Sequence, residues 1–388
     1  MNLAEKISIF NCNTEIFFGV GAIRQLSKII SLQTVERILI ICDEGVKKAG
    51  ILDLVLQEIK QAQIDCIVFS EVEANPSSTT VNKASQILMD SKADLIVAVG
   101  GGSPLDTAKA VGVVATNGGD ITQYEGIDKF EFPSLPVVAV PTTAGTASEV
   151  TNFTVITDLE REYKVTIGGR KLAARWAIVD PVLTLTLPPK LTASTGLDAL
   201  VHAIESYTST MAYPLSEALA LEAIRVISDS LRQAVYNGDN LEARTKMLYG
   251  SLVAGMAFNN TRLGNVHAMS HPLSAKFNVP HGVANSVLLP HVMEFNRMAA
   301  PGKFARIAIE MNEVREGAKS ELEMSKDAIT AVQKLASDIG IPDNFRDYGV
   351  TVDSIPGMAQ DAMKSGNILV NPRKTSIEDV ITLYHKTL

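Results

Sequence analysis

The 388-residue chain contains three cysteines, Cys12, Cys42 and Cys66, and no CxxC pair. That count builds no disulfide framework, and the spacing builds no thiolate metal site. Cys42 lies in the apolar run RILIIC, where a small buried hydrophobe is expected. Such cysteine usage reads as a reduced, cytoplasmic protein. No window approaches about 18 uninterrupted apolar residues, so no bilayer span is expected. The opening MNLAEKISIF has no basic head followed by an apolar stretch, so no signal peptide is expected either. Basic clusters are also missing. With 35 basic against 43 acidic residues, the net charge of −8 disfavours nucleic acid or an anionic membrane surface as partner. Internal repeats and low-complexity segments are absent. The remainder, 46% apolar and 20% charged, is ordinary for a globular enzyme, and the length allows two domains, each with its own core.

The two halves differ in pattern. In the first, RILIICD (37–43), DCIVFSEV (65–72), ADLIVAVGGG (93–102) and PVVAVPTT (136–143) are short apolar runs bounded by turn residues. They have the length of buried parallel strands. Between them, VLQEIKQAQI and TTVNKASQILMDSK carry apolar residues at helical spacing. This alternation predicts an α/β, Rossmann-like dinucleotide-binding domain with a parallel sheet, whose ligands sit outside the carboxyl ends of the strands. After DPVLTLTLPPKLTAS the pattern becomes helical: STGLDALVHAIESY, LSEALALEAIRVISDSLRQAV, EARTKMLYGSLVAGMAFNN and SKDAITAVQKLASDIG. An all-α domain is expected from there on. With the boundary at the two prolines, the division is 1–187 and 188–388, and the cleft between the domains is the default site.

VGGGSPLDTAKAVG (99–112) follows a strand and opens a helix. Gly101, Gly102 and Ser103 would let the backbone approach a ligand and expose helix N-terminal N–H groups, which suits a pyrophosphate. The loop is neither GxGxxG nor a Walker A sequence, and a plain glycine turn is the competing reading. VPTTAGTASEVT (140–151) adds hydroxyls from Thr142, Thr143, Thr146, Ser148 and Thr151 after a second strand, with helix capping as the alternative. Two such loops favour a dinucleotide. Asp43, ending RILIICD, is placed like the acid that binds the adenosine ribose and would repel the 2′-phosphate of NADP, so NAD is expected. The alternative is a solvated turn aspartate.

Three of the six histidines fall in NVHAMSHPLSAKFNVPHG (265–282). His267 and His271 are i,i+4, and His281 lies beyond them. Upstream, Asp198 and His202 are also i,i+4, among Leu197, Leu200, Val201 and Ile204. A carboxylate in apolar surroundings is costly unless paired, and one carboxylate with several imidazoles suits Fe2+ or Zn2+. The spacing alone leaves open which histidines bind, and a structural hydrogen bond would also account for the Asp198–His202 pair.

Together GGGSPLDTAK, PTTAGTASEVT, GLDALVHAIESY and HAMSHPLSAKFNVPHGVANSVLLPHV resemble the iron-containing (group III) alcohol dehydrogenase family. The resemblance covers nearly the whole chain, including the closing NPRKTSIEDVI. It implies NAD on the first domain and a divalent metal, Fe2+ with Zn2+ an alternative, held by Asp198, His202, His267 and His281. It implies cofactor contacts at Asp43, Asn75, Gly101, Gly102, Ser103, Asp106, Thr142, Thr143 and Lys164, with Thr146, Thr151 and Leu183 beside them. His271 would line the site without binding metal, as a proton relay or as a hydrogen-bonding support for its neighbours. His291 and His385 receive no role.

The implied reaction is NAD(H)-dependent oxidation of a small primary alcohol, or reduction of the aldehyde, by hydride transfer. Propanediol, methanol and lactaldehyde are the substrates of similar members, and assembly as a homodimer or larger is expected. Phe153, Phe258, Arg262 and Gly366 are the pocket candidates. Arg262 in FNNTRLG and Gly366 in AMKSGNILVNPR depart from the usual family residues. Arg262 therefore raises an alternative, an anionic aldehyde such as sulfoacetaldehyde, phosphonoacetaldehyde or succinic semialdehyde. A surface-facing arginine is the plainer reading. A dehydroquinate synthase-like lyase is the more distant alternative.

Overall fold

The structure is a computed structural model and describes residues 7–388, so the first six residues of the opening segment lie outside it. Nine strands and fourteen α-helices make up the described chain. The strands are β1 (Glu15–Phe18), β2 (Arg37–Ile41), β3 (Asp65–Phe69), β4 (Leu95–Gly100), β5 (Gly126–Ile127), β6 (Val137–Pro141), β7 (Phe153–Asp158), β8 (Tyr163–Gly168) and β9 (Trp176–Val179). In this half the helices are α1 (Gln25–Ser31), α2 (Glu44–Lys48), α3 (Ile51–Gln61), α4 (Ser78–Ser91) and α5 (Gly102–Asn117). From α6 (Pro189–Thr208) onward no strand occurs among the described residues. There follow α7 (Pro214–Tyr236), α8 (Leu241–Thr261), α9 (Asn265–Phe277), α10 (His281–Asn296), α11 (Pro301–Glu310), α12 (Glu321–Asp338), α13 (Ile355–Met363) and α14 (Ile377–His385).

Six strands form a parallel sheet in the order β1-β9-β6-β4-β2-β3. Three of the four apolar runs of the sequence supply its centre as β2, β4 and β6. The fourth, DCIVFSEV, expected as a buried strand, forms the partly exposed edge strand β3, which has a neighbour on one side only. Ile40 of β2 lies opposite Val68 of β3 and Val97 of β4, and β2, β4 and β6 are buried almost throughout, as strands covered on both faces must be. From β2 the chain passes first to β3 on one side and then to β4 on the other. The strand order therefore reverses between β2 and β4, where a crevice opens at the carboxyl ends.

Three features depart from the expected pattern. The edge strand β1 and its neighbour β9 were not anticipated, each being four residues long, and β1 is only half-buried. A second sheet, β5-β8-β7, contains an antiparallel β7–β8 hairpin lying on α5. Asp106 of α5 holds it there, its carboxylate accepting the Val155 N–H at 2.8 Å and its carbonyl the Thr154 hydroxyl at 2.8 Å. Finally, the helical half does not keep its core to itself. One apolar cluster runs from α6, α7 and α8 into Ala144, Ala147, Val150, Ala177 and Val179 of the sheet half, while two others cover the two sheet faces. The halves are thereby seated firmly on each other, and α9 packs against β8 to form the cleft wall. No described helix is long and apolar enough to cross a membrane.

Candidate active site

A cleft of about 990 Å³ lies between the carboxyl ends of the sheet and the helical half, large enough for a dinucleotide fragment with a small substrate. Its sheet wall is made chiefly of backbone. Helix α5 starts at Gly102, and Gly101 before it supplies no side-chain cap, so the first N–H groups face the cleft unpaired by a cap. Those groups and the helix dipole attract phosphate. Thr142 continues the loop, its N–H donating to the Gly100 carbonyl at 2.9 Å, while Thr143 and Thr146 pack over Gly101 and Gly102.

Asp43 follows β2, the strand next to β4, and lines the same cleft. One carboxylate oxygen caps α2 by accepting the Val46 N–H at 2.9 Å. Leu183 is buried against this wall. Other expected contacts line the cleft with side chains already engaged by protein. Ser103 donates to the Ala74 carbonyl at 2.7 Å, Thr151 receives Lys109, and Asp106 accepts Ser148 as well as Val155.

Lys109 was not among the expected site residues. Fully buried, it donates to the Ser148 carbonyl at 3.0 Å, to Thr151 and to the Phe153 carbonyl, and sits 3.4 Å from Asp106. It thus ties the threonine-rich loop, the hairpin and α5 into one rigid wall. Glu149 is buried beside it, and burial pushes that carboxyl up to about 7.

The opposite wall is made of side chains from three helices. Asp198 and His202 come from α6, His267 from α9 and His281 from the first residue of α10. Potential donor atoms of Asp198, His267 and His281 all lie within 4.8 Å of one another. The Asp198 oxygen stands 3.8 Å from His267 Nε2 and 3.9 Å from His281 Nε2, slightly wider than the about 3.4 Å of a tetrahedral site with bonds of about 2.1 Å. Gly282 permits the approach of α10, since a Cβ there would meet the Ser194 carbonyl of α6 at 2.4 Å. His202 stands outside this close set. Its ring stacks on His267 and on Phe258, with centroids 4.6 and 4.5 Å apart, and its Nδ1 has no hydrogen-bond partner among the described residues.

The donor chemistry suits a cation. Burial first, then neighbouring histidines, holds the His267 and His281 imidazoles well below their ordinary range, so both stay neutral with lone pairs available. The Asn285 amide nitrogen lies 2.6 Å from Asp198 Oδ1, 3.0 Å from His267 Nε2 and 3.1 Å from His281 Nε2. An amide carries two hydrogens, fewer than these three acceptors, whereas one divalent ion can serve all three. Behind His267, Glu205 takes its Nδ1 at 2.6 Å and also accepts the Val266 N–H at 2.7 Å. An Nδ1–H donated to Glu205 leaves Nε2 free to bind, the usual arrangement behind a metal-ligating histidine. Burial pushes the Glu205 carboxyl up to about 7. Neither Glu205 nor Asn285 was among the expected site residues, although both lie in the stretches that carry the site.

Between the walls lie Lys164 and His271. Lys164 of β8 donates to Asn75 Oδ1 at 2.7 Å, and Asn75 donates to Asn278 Oδ1 beyond α9 at 2.8 Å, a chain that spans the cleft. Burial lowers the Lys164 ammonium to about 8, against the pull of Asp106 and Asp198. His271 borders the cleft, and its ring centroid lies 5.7 Å from that of His281. Burial, then the Lys164 charge and His267, lowers it to about 3, so its imidazole is neutral. Phe153, Phe258, Arg262 and Gly366 all line the cleft. His291 is half-buried and His385 exposed, and neither reaches it.

A phosphate-type helix terminus thus faces, across one cleft, a cluster of Asp and His donors that could hold a metal ion. Comparisons give the family. Residues 13–181 match the iron-containing alcohol dehydrogenase family, and residues 192–388 the C-terminal region of the Fe-containing alcohol dehydrogenase family. The chain is 45% identical to 1,3-propanediol dehydrogenase of Citrobacter freundii, covering 95% of this chain and 96% of that protein. It is 37% identical to NAD-dependent methanol dehydrogenase of Bacillus methanolicus, covering 95% and 97%. The crystal structure of a 1,3-propanediol oxidoreductase superposes with a TM-score of 0.95 at 43% identity, over 99% of this chain and all of that one. The protein belongs to the iron-containing alcohol dehydrogenase family and is an oxidoreductase.

Proposed function

We propose that the enzyme interconverts a small primary alcohol and its aldehyde, using NAD(H) and a divalent metal, Fe2+ first and Zn2+ second. The observation that carries this reading is the convergence of Asp198, His267 and His281 on one point across the cleft from the uncapped start of α5. Asp198, His267 and His281 would hold the ion, with His202 turning in as the fourth ligand. The ion would polarise the substrate oxygen as a Lewis acid, and the nicotinamide would supply the hydride chemistry.

The chain's own residues do the rest. N–H groups of Gly102 and Ser103 bind the pyrophosphate, and Asp43 receives the adenosine ribose hydroxyls and disfavours a 2′-phosphate. Glu205 orients His267, and Phe258 packs over His202 to keep water from that face. A neutral His271 passes a proton between the substrate oxygen and cleft water by exchanging which nitrogen carries it, rather than by becoming cationic. The chain works as two domains, 1–187 and 188–388, and assembles as a homodimer or larger.

The test reconstitutes the protein with Fe2+ or Zn2+ and follows NADH with an aldehyde panel. One NADH consumed per alcohol formed is expected. NADH unchanged while substrate is consumed would instead favour a lyase that uses its cofactor transiently, as dehydroquinate synthase-like enzymes do.

A further inference from the structure

Arg262 ends α8 with φ 58° and ψ −172°, a region that glycine populates and other residues avoid. Its backbone is pinned there by neighbours. The Arg262 N–H donates to the Phe258 carbonyl at 2.9 Å, its carbonyl accepts the Thr261 hydroxyl at 2.9 Å, and the next N–H, of Leu263, reaches Asn367 Oδ1 at 3.4 Å. The side chain carried on this strained residue lies along Gly366 and lines the cleft. A Cβ on Gly366 would stand 2.7 Å from Arg262 Nη1, so the guanidinium lies close against this glycine and would have to shift for a larger residue.

The other cations lining or bordering the cleft have partners. Lys364 and Lys276 share Asp361 at 2.8 and 2.7 Å, Lys164 donates to Asn75, and Lys109 sits by Asp106. Among the described residues the Arg262 guanidinium makes no hydrogen bond and no ion pair. Five donors in a fixed fork, half-buried and unmatched, suit a carboxylate, sulfonate or phosphonate. The position says which molecule carries it. Phe258, one helical turn earlier on α8, stacks on His202, so Arg262 belongs to the metal wall. The pyrophosphate-type N–H groups lie on the sheet wall, at Gly102 and Ser103.

We infer that Arg262 binds an acid group on the substrate, so that the preferred aldehyde is a short one bearing a carboxylate, sulfonate or phosphonate a few bonds from the carbonyl. The acid group takes no part in the bonds made or broken; it fixes the reacting carbon against the metal centre. The inference rests on the oxidoreductase reading above, deepening it to a substrate class.

The test compares sulfoacetaldehyde, phosphonoacetaldehyde and succinic semialdehyde with propanal and butanal, using metal-loaded full-length enzyme and NADH. At least one anionic aldehyde should exceed its neutral counterpart in kcat/KM by 10-fold or more, and the best of the three identifies the acid. Arg262→Gly, which suits the backbone, should lower that anionic-to-neutral ratio by about 10- to 100-fold, as loss of a charge-assisted hydrogen-bond pair does. Gly366→Ala, which crowds the guanidinium, should lower it in the same direction. Ethanesulfonate, methylphosphonate and propionate should compete with propanal, at least one with a Ki raised about 10-fold or more in Arg262→Gly. A wild-type ratio of one or less, or the same ratio in Arg262→Gly, overturns the inference.

If the wild type consumes no NADH with any aldehyde, the proposed NAD(H)-dependent alcohol–aldehyde reaction fails instead. The anion site is then judged by thermal shift: stabilisation by ethanesulfonate, methylphosphonate or propionate that Arg262→Gly abolishes sustains it, and no such stabilisation overturns it.

Discussion

The two walls of the cleft are built by different means. The sheet wall presents mostly main chain: N–H groups at the start of α5, threonines over the loop, and one carboxylate at the end of β2, each near its neighbours in sequence or in the sheet register. The helical wall presents side chains from α6, α9 and α10, which sequence separates by up to 83 residues between Asp198 and His281. A wall of backbone depends on the fold and little on any one side chain. A wall of converging side chains fails when one is removed, because its neighbours stay buried with unmatched lone pairs.

The largest effect should therefore come from the helical wall. His267→Ala is expected to abolish stoichiometric metal binding, measured by elemental analysis, and to lower turnover by more than about 100-fold, beyond what the loss of a group behind a ligand costs. Dinucleotide affinity, followed by NADH fluorescence, should survive, since the opposite wall is intact. Loss of both together would show that the two walls are not separable. Glu205→Gln comes next. The amide keeps the size but cannot hold the His267 Nδ1–H as a carboxylate does, and a 10- to 100-fold weaker metal affinity is expected. An unchanged affinity in a metal-buffered titration would make Glu205 a packing residue.

This difference also governs what sequence reading could reach. The buried strands β2, β4 and β6, the glycine loop and the long helices follow from local patterns, and their positions agree with the runs that carry them. The helical wall was legible as a cluster of histidines near a carboxylate, but its ligand set came through resemblance to a family. Glu205 and Asn285 were passed over because each looks, in sequence, like an ordinary helix residue; only the packing of α6 against α9 and α10 gives them their partners. The β7–β8 hairpin was missed for a related reason. Its strands lie outside the main sheet and are held by Asp106, a residue of another element. An aspartate that reads as a phosphate-loop contact thus has its carboxylate engaged in positioning β7, the strand paired with the one that supplies Lys164.

On the sheet wall, Asp43→Ala tests the one side chain to which a selective role is given. The variant should shift the NAD-to-NADP ratio of kcat/KM toward NADP by about 10-fold, equivalent to about 1.4 kcal/mol. It should also cost about 1 kcal/mol of stability, because Asp43 caps α2 through the Val46 N–H. A stability loss with an unchanged cofactor ratio would reduce Asp43 to a helix cap, and the wall would then be backbone alone.

The smallest effect belongs to the turn that closes the hairpin. Asp158 accepts the Glu160 and Arg161 N–H groups at 3.0 and 3.2 Å and the Arg161 Nε at 2.6 Å. The Arg161 hydrogen bond, which outweighs the upward push of burial and is helped by the backbone donors, holds its carboxyl below the ordinary carboxylate range. A folded-state pKa below the unfolded one stabilises the protein fully above the unfolded value of about 3.9. That contribution is lost as pH falls through the folded value. Arg161 is half-exposed, so solvent weakens the pair, and Asp158→Asn should cost about 1 kcal/mol near neutral pH. Thermal unfolding at pH 7 and in steps below pH 4 would follow it, with the gap between wild type and variant closing as the acid range is entered. A gap that stays constant with pH would mean that the turn depends on the shape of the side chain rather than its charge. The hairpin would then be held mainly by Asp106 from α5, as the metal wall is held by residues far apart in sequence.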